Sequence, residues 1–190
     1  MRDDVLVINT AESLAKPKVL QPLTLYGEHF PLLAQKMPEY TGALPNEGVN
    51  TLVKQMKMTM EKFGGIGLSA NQCGVIARIF IIGYENFSMV CINPKVIAQS
   101  DEMQKADEGC LSFPALYCKI ERPKWVDVEY TNELGETVQT RLEGLTARCY
   151  LHELDHMNGI KFTSHVGPVA LQMAKIKQQK RIKTAIRKKK

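Results

Sequence analysis

The stretch "CYLHELDHMNG" (residues 149–159) places two histidines four positions apart, with a glutamate directly after the first. A helix here sets His152 and His156 on one face, one turn apart, where both can reach a single metal ion. Apolar Leu151 and Leu154, and the Asn158-Gly159 stop, predict a helix from about Thr146 to Met157. Two imidazoles are one ligand short, because a catalytic centre commonly has three protein ligands and one open position. The third ligand decides what the helix is for.

The chain downstream does not supply it. A metzincin pattern would place a third histidine at position 162, which is Phe162, and no acidic residue follows Asp155. His29 lies in a proline-rich segment and His165 just past the helix. An HExxH metallo-endopeptidase is the alternative reading, and this absence counts against it. Upstream, "DEGCLSFP" (107–114) offers Cys110, although a single cysteine is more often an inert apolar residue. A third stretch, "GGIGLSANQ" (64–72), follows a methionine-rich segment.

The remaining sequence bounds the fold. At 190 residues and 44% hydrophobic, the chain suits one globular domain with a core of its own. No apolar run has the roughly 20 residues needed to cross a bilayer, and the N-terminus resembles neither a signal nor a transit peptide. Five scattered cysteines without a CxxC pair fit a reducing compartment, so a cytoplasmic location is expected. Residues 1–48, with Pro17, Pro22, Pro31, Pro38 and Pro45, read as an irregular wrapping segment. Val49, Leu52, Val53, Met56, Met60 and Phe63 then form the stripe of an amphipathic helix ended by Gly64-Gly65. "VIARIFII" (75–82) reads as a strand, "MVCINPKVIA" as two pieces broken at Asn93-Pro94, and residues 124–142 as a hairpin turning at "NELG". Helices at both ends of a run of antiparallel strands indicate an α+β fold.

Taken in order, G-I-G-L-S-A-N-Q, E-G-C-L-S and H-E-L-D-H closely resemble the three signature motifs of peptide deformylases. The resemblance runs from the methionine-rich helix to Phe162 and departs at Ser69, where the family usually has alanine. It implies antiparallel sheets packed around the metal-binding HExxH helix, with a helix at the C-terminus. It implies that Cys110, His152 and His156 bind one divalent metal, natively Fe2+, for which Zn2+, Ni2+ or Co2+ can substitute. Thiolate and imidazole donors suit all four. Glu153 is then the general acid and base, while the Gln72 amide and the Leu111 backbone N–H are the oxyanion donors. Ile66, Gly67, Leu145 and Cys149 are expected to line a methionine-sized pocket, and Arg148 to point away from it. Glu108 is a candidate to orient a ligand histidine. The implied substrates are nascent peptides bearing N-formyl-methionine.

The charge is uneven. Nine of the 25 basic residues lie between Leu171 and the end, where there is no acid; the first 170 residues hold 16 basic and 20 acidic residues. Residues 1–170 therefore read as the catalytic domain and 171–190 as a basic helical tail. That tail is either a solvated helix or a contact to the ribosome. No membrane partner is expected.

Overall fold

The computed structural model describes residues 20–188. The first nineteen residues of the expected wrapping segment, and the last two lysines, lie outside that range. Helix α1 (Glu47–Lys62) starts where Asn46 Oδ1 accepts hydrogen bonds from the backbone of Gly48 and Val49, at 2.8 and 3.2 Å. Such a cap satisfies donors that the first helical turn would otherwise leave unpaired. Five members of the stripe, from Val49 to Met60, are buried. Phe63 is not: it caps the helix and is 47% exposed.

Five antiparallel strands form one sheet in the order β1-β2-β3-β6-β7. They are β1 (Gly67–Ser69), β2 (Ile79–Tyr84), β3 (Phe87–Gln99), β6 (Trp125–Thr131) and β7 (Thr137–Glu143). Alternation along β2 divides the core. Ile79 and Ile81 face the α1 side, while Phe80 and Ile82 face the side covered by helix α2 (Gly144–Met157). The two expected pieces around Asn93-Pro94 are one strand. A bulge between Ile92 and Lys95 absorbs the proline, and Asn93 takes a left-handed φ of 52° there. The Asn93 side chain accepts a hydrogen bond from the Tyr40 backbone N–H and donates one to its carbonyl, both 2.8 Å, tying the N-terminal segment to the sheet.

The remaining strands, β4 (Met103–Cys110) and β5 (Phe113–Pro123), make a separate two-stranded ribbon. Cys110 thus ends a strand at a hairpin tip. The terminal helix α3 (Pro168–Lys188) packs on β5 through Leu171 and Ala174. Further along the helix, Ile182 and Ile186 are 39% and 55% exposed. Among the described residues no helix is long and apolar enough to cross a membrane. The architecture is α+β, with antiparallel sheets and a C-terminal helix.

Candidate metal centre

Three elements meet at one point. The last two turns of α2 carry His152, Glu153 and His156; the ribbon tip carries Cys110; and a 3-10 turn after β1 (Ala70–Cys73) carries Gln72. One ligand atom each from Cys110, His152 and His156 lies within 4.8 Å of the others. Cys110 Sγ is 3.2 Å from His156 Nε2. The other two histidines lie elsewhere: His29 is exposed, and His165 pairs with Asp155 at 2.7 Å.

Glu108 fixes the orientation of His152. Its Oε2 is 3.1 Å from His152 Nδ1, which leaves the other ring nitrogen for Cys110 and the centre of the cluster. Arg122 grips the same carboxylate with two hydrogen bonds of 3.0 Å, and Arg148 adds one of 2.7 Å. Arg122 also reaches Asp155 on α2 at 2.8 Å. Arg148 is therefore not a surface charge: it is buried and locks α2 to the ribbon, also donating to the Ile120 carbonyl at 2.9 Å. Burial would raise the Glu108 carboxyl, but hydrogen bonds from His152 and Arg122 overcome this and hold it at about 2.

The donor chemistry fits a divalent cation. Burial disfavours a charged His152, yet hydrogen bonds to Cys110 and Glu108 raise it to about 10, so the pocket attracts positive charge. Burial, and then the charge of His152, push His156 well below the ordinary imidazole value, so it stays a neutral donor. A sulfur and two imidazoles are the ligand set of a three-ligand catalytic site with one open position.

Glu153 sits beside this cluster, fully enclosed. Desolvation raises its carboxyl, while the charge of His152 and a hydrogen bond from Ser69 pull the other way. Ser69 Oγ donates to Glu153 Oε2 at 2.6 Å. Gln72 accepts from the Ser69 backbone N–H at 2.9 Å, which turns its amide nitrogen toward Ser112 Oγ (3.1 Å) and Cys110 Sγ (3.4 Å). Leu111 follows Cys110 at the hairpin tip.

A cleft of about 460 Å³ opens onto these groups. Ile66, Gly67, Leu111, Leu145, Arg148 and Cys149 all line it. Gly67 is required there: a Cβ would collide with Glu153 Oε1 and come within 2.7 Å of Cys149 Sγ. The far rim is the start of β5, where Ala115 has a φ of 60°. Helix α3 holds that rim from outside. Gln178 donates to the Pro114 carbonyl (2.9 Å) and Arg181 to that of Ala115 (3.2 Å), with the Arg181 guanidinium 5.0 Å above the Tyr117 ring.

Sequence reasoning missed Arg122, Asp155, Ser112 and the contact of Ser69 with Glu153. Ser69 alone carried a signal, as the one departure inside the three motifs.

The family model for polypeptide deformylase matches residues 20–172. A peptide deformylase from Thermotoga neapolitana is 40% identical over 123 residues, covering 65% of this chain and 75% of the relative. One from a Wolbachia of Brugia malayi is 37% identical over 161 residues, covering 78% and 89%. The crystal structure of a peptide deformylase from Synechococcus elongatus, in complex with actinonin, superposes with a TM-score of 0.78 at 33% identity, covering 93% of this chain and 94% of that one. The range matched by the family model runs through both the sheet and the ribbon and takes in all three clustered ligand positions, so the chain belongs to the polypeptide deformylase family.

Proposed function

We propose that Cys110, His152 and His156 hold one metal ion, and that this chain hydrolyses the formyl group from the N-terminal formyl-methionine of nascent polypeptides. The observation that carries the reading is the convergence of those three donors beside the enclosed carboxylate of Glu153 and the amide of Gln72. It favours deformylation over internal cleavage by an HExxH endopeptidase, whose third ligand would come from downstream. Fe2+ is the proposed native ion, with Zn2+, Ni2+ or Co2+ as substitutes accepted by the same donors. Such an ion acidifies water and polarises a carbonyl oxygen when bound.

The chain's own groups do the rest. Glu153 takes a proton from the attacking water and returns it to the departing amine, which leaves with formate as the other product. Gln72 Nε2 and the Leu111 N–H receive the developing oxyanion. Ile66, Gly67, Leu145 and Cys149 accept the methionine side chain. β1 is an edge strand of the sheet, so an extended peptide can pair with it through main-chain hydrogen bonds that ignore sequence. In this reading α2 is the helix around which the sheets pack, residues 1–170 are the catalytic domain, and residues 171–190 are a basic tail. The cytoplasm is its proposed place of work.

Formate release from formyl-methionyl peptides by anaerobically iron-loaded protein tests the reading, and anaerobic handling protects the thiol. Activity on these peptides, none on blocked internal peptides, and its loss in Glu153→Ala with metal retained are expected. Cleavage of internal bonds would establish the endopeptidase instead.

The second partner is the ribosome. Lys175, Lys177, Lys180 and Lys183 lie on α3, within a segment that has no acidic residue. Deleting the tail would also remove Gln178 and Arg181 from the rim, so charge reversal at the four lysines is the cleaner test. Lower co-sedimentation with ribosomes at unchanged peptide activity is the expected result, and unchanged co-sedimentation removes the contact.

A further inference from the structure

We infer that Ser69 is a positioning residue that holds the Glu153 carboxylate in its working orientation, an inference that rests on the deformylase reading above. Ser69 ends β1 and has no exposed surface. Its hydroxyl lies 2.6 Å from Glu153 Oε2 and makes a longer contact, 3.3 Å, with the Glu153 backbone carbonyl. A hydroxyl donating to an ionised carboxylate makes a strong, short bond. Gly67 leaves the opposite side clear, where any side chain would strike Oε1. Gly67 lines the cleft and Ser69 does not, so Oε1 is the oxygen presented to the substrate. The carboxylate is thus pinned from behind at Oε2, with Oε1 facing the cleft beside Gly67.

The same residue orients the second catalytic group by a separate bond. The Ser69 backbone N–H fixes Gln72 Oε1, which sends the amide nitrogen toward Cys110 and the ribbon tip. One residue therefore sets both the base and an oxyanion donor, through different atoms. Replacing the side chain removes the bond to Glu153 and the one that the Ser69 side chain accepts from the Gln72 backbone N–H, while the Ser69 N–H keeps its hold on Gln72 Oε1. Alanine is the residue that the family resemblance leads one to expect here, so this pin distinguishes the present chain within its motif.

The test is Ser69→Ala in the full, metal-loaded protein, assayed on a formyl-methionyl peptide. kcat should fall about ten-fold, which corresponds to about 1.4 kcal/mol of transition-state stabilisation. KM and bound metal should match wild type, and Ser69→Thr, which keeps the hydroxyl, should recover most of the loss. A crystal structure of Ser69→Ala gives a readout independent of turnover: the Glu153 carboxylate should rotate away from its wild-type position. An unchanged kcat, a loss confined to KM or metal content, or a carboxylate that stays in place overturns the inference. If wild type itself releases no formate, the deformylase reading fails, and the carboxylate position in the variant still decides whether Ser69 holds it.

Discussion

The half of the molecule built on the five-stranded sheet is held by hydrocarbon, and the half that carries Cys110 is held by charge. Among the described residues, fourteen buried apolar side chains fill the α1 face of the sheet and twelve fill the α2 face, whereas six serve the ribbon. The ribbon compensates with Glu108 and Arg122, joined by Arg148 from α2, all three buried and bonded to one another through Glu108. Apolar packing is tolerant of direction, but charge-assisted hydrogen bonds fix angles. The scaffold therefore uses the first, and the element that must aim a sulfur at two imidazoles uses the second.

The two halves touch through Gln72, which leaves the sheet side and reaches Cys110 and Ser112 on the ribbon. Gln72→Leu should lower turnover by about two to three powers of ten while bound metal is retained, as measured by steady-state formate release and metal analysis. Loss of metal instead would make Gln72 part of the scaffold rather than of the chemistry. Arg122→Leu attacks the charged half by leaving Glu108 and Asp155 short of a partner. Metal affinity, read by competition with a chelator, should weaken by about 10- to 100-fold because His152 is no longer held. Met56→Ala attacks the apolar half. It should cost about 2–5 kcal/mol in denaturant unfolding, with metal affinity unchanged, since Met56 is fully buried in the apolar cluster on the α1 side, which holds none of the three ligand candidates. If both variants lose metal and stability in the same proportion, the division between the halves is wrong.

The smallest effect separates the cysteines. Burial, with a further contribution from Glu153, pushes the Cys73 thiol up to about 12, and burial also raises Cys91 and Cys149 well above the ordinary thiol range. Cys110 is only half-buried. In chelator-treated protein, alkylation near pH 8 should mark Cys110 before the other four, Cys118 included, whose thiol burial also raises, as mapped by peptide mass. A thiol whose folded value is raised contributes stability below its unfolded value of 9 and loses it as pH climbs through about 12. Cys73 should therefore stay protected across the neutral range and open only under strong alkali.

The same contrast explains what the sequence discloses. Helices α1 and α2 and the β6–β7 hairpin are legible because apolar residues recur along them with a helical or strand period. β4 is not, because its one fully buried side chain is Glu108, a charge, and "MQKADEGC" shows no apolar alternation. The three ligand candidates were legible from motifs and from the chemistry of a site missing one donor. Arg122 and Asp155 were not, since ion pairs between distant segments have no period. Arg148, a surface or structural charge by its place on the helix, proves structural, but a helix projection does not show that a carboxylate from another strand draws it to the cleft.

Ala115 sits in a backbone conformation that L side chains rarely adopt, and the two carbonyls around it are tethered to Gln178 and Arg181. The lip of the cleft is thus moored to a basic helix whose outer face is open to solvent. A displacement of that helix would carry the lip with it, because the tethers end on main-chain carbonyls of the rim itself.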